Sequence, residues 1–453
     1  MGKKGDEKAA RTIEDPREEF DHPEQYFYSL KRVGVKLGLD KIEDFLSRFD
    51  KPQEDFDSVL VGGTNAKGSV CTVLMNILDE AGYRTGLYLS PHLMDFEERI
   101  QINGEKISED ELWHLIDKIH PVVKEIEEED PEKRPSFFEV LTAIAFLYFS
   151  ERNVDLAVLE VGMGGRLDAT NVAPHDLSVV TYVGFDHAEH LGNTKKKIAR
   201  EKAGIIAENN RFVTGEKDKE IRDYFEKVCK ERKAKFNYAF DREHEILFSP
   251  LRLKTEPYGE LRINGVAPWL AENVLLSLEA AEGLQSDGYD VSQGDIERGI
   301  EKSIFPGKME TVKEEPWVVM DSAHNKTGFE ALKKGLEHLE HNRLLAVVGI
   351  LEDKDHESMV EVLGPITDIA YTAEPVSERK LDSEELAEEF QHYCPAEPSE
   401  HGIEALRKAE RGWRKGDLIV ITGSLYLLGD IRKEADELIK PVLSKSEKDG
   451  PRG

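Results

Sequence analysis

The sequence predicts an α/β protein with a large domain on a mostly parallel sheet and a second, smaller α/β domain. Three observations predict it. Short, continuously apolar runs at 155–161 and 177–183 read as strands buried on both faces. A glycine-rich turn at 61–69 joins a strand-like entry to a helix-like segment. After a break around Ile304-Phe305-Pro306-Gly307-Lys308, the strand and helix alternation begins again.

The elements follow in order. Residues 1–24 are charged and lack apolar periodicity, which predicts a flexible arm. Leu30, Val33, Val35, Leu37, Leu39 and Phe45 predict a helix, a loop near Gly38 and a second helix. Residues 58–61 read as a strand, 70–78 as a helix, 83–89 as a strand, and 109–127 and 137–150 as helices. Between 235 and 263 the pattern changes to short β-like pieces broken by Pro250, Pro257 and Gly259, and a helix at 271–282 follows. In the second domain, 317–320, 344–350 and 418–422 read as strands and 327–339 as a helix. The expected division is an arm (1–24), a nucleotide-binding domain (25–305), a second domain (306–440) and a flexible tail (441–453).

Composition narrows the function classes. The chain has 453 residues, 39% apolar and 34% charged, as expected of a soluble globular protein. The longest apolar run, 140–149, is too short to span a bilayer, and the charged N-terminus is no signal peptide. Cys71, Cys229 and Cys394 form neither a disulfide framework nor a zinc pattern, so a reducing cytoplasm is the expected compartment. A net charge of −30 argues against nucleic acid and anionic membrane as partners. It also fits a salt-rich cytoplasm. An anionic substrate must then be held by the few cations inside motifs.

Five segments could carry chemistry. In Gly63-Thr64-Asn65-Ala66-Lys67-Gly68-Ser69, a turn between strand and helix aims backbone N–H groups and the positive end of the helix at one point. Lys67 adds a full charge where phosphate oxygens would lie. The strict phosphate-loop pattern is not met, since Gly68 separates Lys67 from Ser69, and an ordinary strand-to-helix turn stays open. Ser90-Pro91-His92-Leu93 lies at a predicted strand end, ahead of Glu97, Glu98 and Arg99, but is also compatible with a simple turn. Glu160 ends an apolar strand and opens a loop with Gly162, Gly164, Gly165, Arg166 and Asp168; such a carboxylate is placed like a magnesium ligand. Asp186-His187 at another strand end could supply an imidazole ligand or be structural, and Lys202 alone reads as a solvated helix lysine. Asp321, His324 and Asn325 open the second domain at the ligand edge of its sheet.

Together these segments resemble the folylpolyglutamate synthase/dihydrofolate synthase family, within the Mur-type ATP-dependent amide ligases. The likeness covers residues 25–435 and is carried by 63–69, Ser90-Pro91-His92-Leu93, Phe137-Phe138-Glu139, 160–171 and Asp186-His187. Glu201-Lys202-Ala203-Gly204-Ile205, Pro306-Gly307-Lys308, 321–325, 349–355 and Thr422-Gly423-Ser424 complete it.

The resemblance implies an N-terminal Mur-type phosphate-loop ATPase domain and a C-terminal Rossmann-like domain with the active site between them. It implies that Gly63, Thr64, Asn65, Ala66, Lys67, Gly68 and Ser69 hold ATP phosphates, and that Ser90, Glu160 and His187 bind Mg²⁺, with two ions in all. Lys202 falls where the family carries a carbamylated lysine, which reverses the solvated reading. Asn273 and Asp321 match nucleotide contacts, Lys308 matches an arginine that reaches the phosphates, and His324 lies in a motif tied to phosphate handling. Leu37, Phe137, Phe138, Glu139, Leu167, Asp168 and Ala169 fall where the pterin or pteroate binds. Ala66 replaces a family glycine, which leads us to expect φ below zero there, and Trp269-Leu270 replace a His-Gln pair.

The implied reaction joins L-glutamate to a pteroate or folate carboxylate through an acyl phosphate, releasing ADP and phosphate. Catalytic roles fall to Lys67, Lys202 and His324. Implied partners are small molecules only (ATP, L-glutamate, dihydropteroate or folate), and the expected state is a monomer. Alternatives are a Mur-type ligase acting on a UDP-linked peptide and a nucleotide-binding module without ligase activity.

Overall fold

The computed structural model describes residues 15–30, 38–185, 191–192, 194–248 and 250–434. Eight strands form the first sheet: β1 Asp57–Gly62, β2 Thr85–Tyr88, β3 Ile100–Ile102, β4 Glu105–Lys106, β5 Leu156–Glu160, β6 Leu177–Val180, β7 Arg211–Thr214 and β8 Lys235–Tyr238. Their order is β4-β3-β2-β5-β1-β6-β7-β8. The pairs from β2 to β8 across the sheet are parallel, while β3 joins β2 and β4 antiparallel at the edge. Every residue of β5 is buried, which explains its unbroken apolar run.

Alternation along β1 divides the core in two. Val59 and Val61 pack with the helices Lys67–Glu80, Pro268–Ser286 and Gln293–Lys302, whereas Leu60 packs with Glu109–Glu129 and Phe137–Glu151 on the opposite face. The helix that opens at Lys67 is held closely from behind. A Cβ on Gly299 would come within 2.6 Å of the backbone N of Ile77, so glycine there lets Gln293–Lys302 touch it.

A three-stranded antiparallel sheet follows: β9 His244–Leu247, β10 Arg252–Thr255 and β11 Gly259–Arg262, in the order β11-β10-β9. The last sheet has β12 Glu310–Lys313, β13 Trp317–Met320, β14 Leu344–Val348, β15 Ile369–Ala373, β16 Ala396–Ser399 and β17 Leu418–Thr422. Its order is β12-β13-β17-β14-β15-β16, parallel except for β12. The fold is therefore the expected pair of α/β units, with a parallel-rich sheet in each.

Boundaries moved where caps decide. The helix expected at 271–282 runs Pro268–Ser286 because Pro268 sits at its first turn, where the missing N–H is no loss. The expectation of a flexible arm through residue 24 needs correction. Residues 1–14 lie outside the described residues, but Pro16–Glu19 is a helix capped by the Asp15 side chain. Pro16 and Pro23 are buried, and Arg17 meets Asp117 at 2.9 Å. High charge there marks an ion-paired surface helix, not a free chain.

Candidate active site

The register of the first sheet builds the site. Val61 of β1 faces Glu160 of β5 and Val179 of β6, so the turn after β1 emerges between two neighbouring strand ends. This is the central point of the sheet, where ligands of open α/β folds gather. Gly63 has φ 143°, and a Cβ there would lie 1.8 Å from Thr181 Oγ1. Thr181 Oγ1 donates to the Asn65 carbonyl at 2.7 Å, and Thr64 Oγ1 accepts from Gly184 N–H at 2.8 Å. The turn is thus tied to the chain leaving β6. Lys67 begins the helix Lys67–Glu80, whose N-terminus receives no side-chain cap, leaving its first N–H groups available to an anion. Ala66 departs from expectation: its φ is +69°, left-handed. The tight turn demands that geometry whatever residue occupies it.

Glu160 is 5% exposed, and its Oε1 lies 3.6 Å from Lys67 Nζ. Ser90 N–H donates to its other oxygen at 3.2 Å. Burial pushes the Glu160 carboxyl above its ordinary range, while Lys67, the Ser90 N–H and Lys308 pull it back. Lys308 comes from the second unit. Burial pushes its ammonium below the usual lysine range, and Asp321 and Glu160 oppose that push. Lys308 Nζ donates to Ser322 Oγ at 2.6 Å. Asp321 accepts from Met309 N–H and Ala323 N–H, both at 2.9 Å, and burial raises its carboxyl to about 6. Asn325 Nδ2 reaches Asn65 Oδ1 across the two units at 3.5 Å.

The donor set fits a hard divalent cation. Mg²⁺ takes one or two carboxylates and completes its shell with phosphate oxygens and water. Glu160 is such a carboxylate, buried beside an anion-binding turn, with Ser90 adjacent. Among the described residues there is no cluster of three or more His, Cys, Asp or Glu that could cage a metal without phosphate. His187 and Leu37 lie outside the described residues.

A cavity of about 1200 Å³ joins these groups. Its walls include residues 64–69, Ser90, Glu160, Lys308 and His324 on the polar side, and Phe137, Phe138, Leu167, Asp168 and Ala169 beyond. Phe138 packs over Gly162, where a Cβ would come within 2.4 Å of its ring. Two of the carboxylates in this wall have structural duties. Glu139 accepts from Ser136 N–H at 2.7 Å as part of a capping box, and Asp168 accepts from Met163 N–H at 2.8 Å and Thr170 Oγ1 at 2.7 Å. Lys202, Asn273 and Asp321 are buried but are not among the cavity-lining residues. Lys202 ends the helix Lys195–Lys202, which is joined to the glycine loop by Arg166 N–H donating to the Glu201 carbonyl at 2.8 Å. Asn273 Nδ2 and Trp269 Nε1, one turn apart on Pro268–Ser286, are buried donors that find no acceptor among the described residues.

Sequence reasoning missed Thr181, Ser322 and the cavity-facing role of Arg99. Thr181 acts through Asn65, more than a hundred residues away, and gives no local signal, whereas Ser322 lies inside the 321–325 segment but carries no mark of its bond to Lys308. The strained Ala66 makes a direct test. Replacing it with glycine should raise stability by about 1 kcal/mol, the gain from removing a left-handed Cβ. Urea unfolding of Ala66→Gly measures it, and a lower midpoint would contradict the strain.

Comparison with known proteins agrees with this geometry. Residues 61–261 match the Mur ligase middle domain, and residues 307–425 match the Mur ligase glutamate ligase domain. A dihydrofolate synthase/folylpolyglutamate synthase from Bacillus subtilis is 33% identical over 415 residues, covering 89% of this chain and 96% of its own length. The structure of Escherichia coli FolC in complex with DHPP and ADP superposes with a TM-score of 0.81 at 28% identity, over 92% of this chain and 98% of that one. A bifunctional folylpolyglutamate synthase/dihydrofolate synthase with Mn, AMPPNP and L-glutamate bound gives 0.78 at 28% identity, again over 92% and 98%. The chain belongs to the dihydrofolate synthase/folylpolyglutamate synthase family of ATP-dependent ligases.

Proposed function

We propose that this chain phosphorylates a pteroate or folate carboxylate in the cavity between its two units and then joins it to L-glutamate. The observation that carries the assignment is the buried Glu160 carboxylate 3.6 Å from Lys67, at the mouth of an uncapped helix. Its relatives are structures with ADP and DHPP, and with Mn, AMPPNP and L-glutamate. The same ligand classes suit a turn that offers N–H donors beside an aromatic wall.

A carboxylate oxygen is a very poor leaving group, so the acid needs activation before an amine can displace it. The substrate oxygen forms a bond to the γ-phosphorus of ATP while the bond to the β,γ-bridging oxygen breaks, and ADP departs. Lys67 and the N–H groups of 63–69 hold the phosphates in line, and Lys308 adds charge from the opposite wall. A divalent cation held by Glu160, with Ser90 and His187, would supply further positive charge against the triphosphate. The glutamate amine then bonds to the acyl carbon, phosphate leaves with the C–O electron pair, and one ammonium proton is lost. We assign that proton to His324. His324 lines the cavity, and its Nδ1 lies 2.9 Å from the Ser322 carbonyl, a contact that orients the ring.

Further assignments belong to the same reading. Asn273 and Asp321 would contact the nucleotide, and Phe137, Phe138 and residues 167–169 the pterin. Lys202 would be carbamylated, a carboxylate-like group behind the glycine loop serving a second cation. The working units would be 25–305 and 306–440, acting as a cytoplasmic monomer.

ADP release measured with dihydropteroate and with tetrahydrofolate, each with and without glutamate, tests the reaction. Glutamate-dependent release with at least one acceptor is expected. Release indifferent to glutamate, or none, would remove the ligase reading. For Lys202→Ala, turnover should vanish and return in part when a small carboxylic acid is added, while unchanged activity refutes the carbamate.

A further inference from the structure

Arg99 is the last residue of the short helical turn Phe96–Arg99 and lines the cavity, yet it is only 8% exposed. A guanidinium withdrawn from water normally has a carboxylate beside it. Here no ion pair involves Arg99 among the described residues. The neighbouring Glu98 is committed elsewhere, accepting from Leu93 N–H at 2.7 Å and from Met94 and Asp95 N–H, both at 3.2 Å. Arg99 Nε donates to His92 Nδ1 at 2.9 Å, a neutral acceptor that fixes the plane of the side chain. Its guanidinium carbon lies 5.4 Å from the ring centre of Phe96 and 5.8 Å from that of Phe137. The terminal N–H groups have no protein acceptor among the described residues.

This is a preset fork rather than a structural ion pair. Two aromatic rings and an imidazole hold it in one orientation at the cavity wall, with no carboxylate paired to it among the described residues and Glu24 beyond the far side of the His92 ring, 3.8 Å from His92 Nε2. Planar paired donors match a carboxylate in bidentate geometry better than any other common anion except phosphate. The phosphates are already provided for by Lys67, Lys308 and the helix N-terminus. Phe137 ties the fork to the aromatic side of the cavity.

We propose that Arg99 anchors a non-reacting glutamyl carboxylate of the substrates. The inference deepens the proposed function and rests on it. Two sources carry that group: the incoming L-glutamate, and the glutamate already attached to a folate acceptor. Dihydropteroate has only its reacting carboxylate, so it separates them.

The test uses Arg99→Gln, which keeps an N–H near His92 and loses the charge, and Arg99→Lys, which keeps the charge and loses the fork. KM is measured for L-glutamate, dihydropteroate, tetrahydrofolate and ATP in the full chain. If the anchor serves the attached glutamate, Arg99→Gln raises KM for tetrahydrofolate tenfold or more and leaves dihydropteroate within twofold. If it serves the incoming amino acid, KM for L-glutamate rises tenfold or more with either acceptor. Arg99→Lys should fall between wild type and Arg99→Gln, and it carries the same comparison should the glutamine variant misfold. KM values for tetrahydrofolate and L-glutamate within twofold of wild type would overturn the proposal. So would a rise shared equally by ATP and dihydropteroate, the mark of a merely structural residue. Glutamate-dependent ADP release by the wild type stands apart from all of these outcomes, so failure here leaves the ligase reading intact.

Discussion

Two opposite charges, Lys67 and Glu160, sit at adjacent strand ends of one parallel sheet, 3.6 Å apart and largely shielded from water. Withdrawing either from solvent is unfavourable, and their attraction offsets only part of that penalty. Burial raises the carboxyl of Glu160 and, separately, lowers the ammonium of Lys308 on the opposite wall. The pairing of β1 with β5 and the turn at Gly63 bring Lys67 and Glu160 together at the mouth of the cavity. A triphosphate with a divalent cation would relieve that penalty, giving the lysines an anion and the carboxylate a cation. Fixed charges buried in this way are what electrostatic preorganisation requires.

The second unit completes the site rather than merely covering it. Lys308 reaches toward Glu160, Asn325 touches Asn65, and the loop 90–93 lies against the far wall. Leu93 makes that last contact. A Cβ on Gly307 would meet its side chain at 3.5 Å, and one on Gly429 would come within 2.5 Å of its carbonyl. Small residues at both positions let the two units close on a loop that also bears Ser90. An acyl phosphate survives only where water is kept out, which makes close packing at this junction useful to the ligase reaction.

Much of this was legible in the sequence because the features are local. An apolar strand ending in Glu160, glycines around Lys67, and aromatic residues opening a helix at Phe137 all announce themselves within a few positions. What escaped depends on contacts across more than a hundred residues: Thr64 with Gly184, Thr181 with Asn65, Asn325 with Asn65. Arg99 stands out in the sequence only as following Ser90-Pro91-His92-Leu93, because nothing local shows that Glu98 is taken up by the backbone N–H groups of 93–95. Glu139 shows the reverse. The family resemblance places it at the pterin, and it does line the cavity, but Ser136 three residues earlier also marks the capping box that occupies one face of its carboxylate. The sign of φ at Ala66 could not be read from side-chain chemistry, because the turn sets it.

The central claim is that Glu160 holds the nucleotide's cation. Mn²⁺ binding followed by electron paramagnetic resonance, in the presence of a non-hydrolysable ATP analogue, addresses it without relying on turnover. Glu160→Gln should weaken Mn²⁺ at least tenfold relative to the unaltered chain, as loss of a direct ligand requires. Equal Mn²⁺ affinity in the two proteins would place the cation elsewhere and contradict the account.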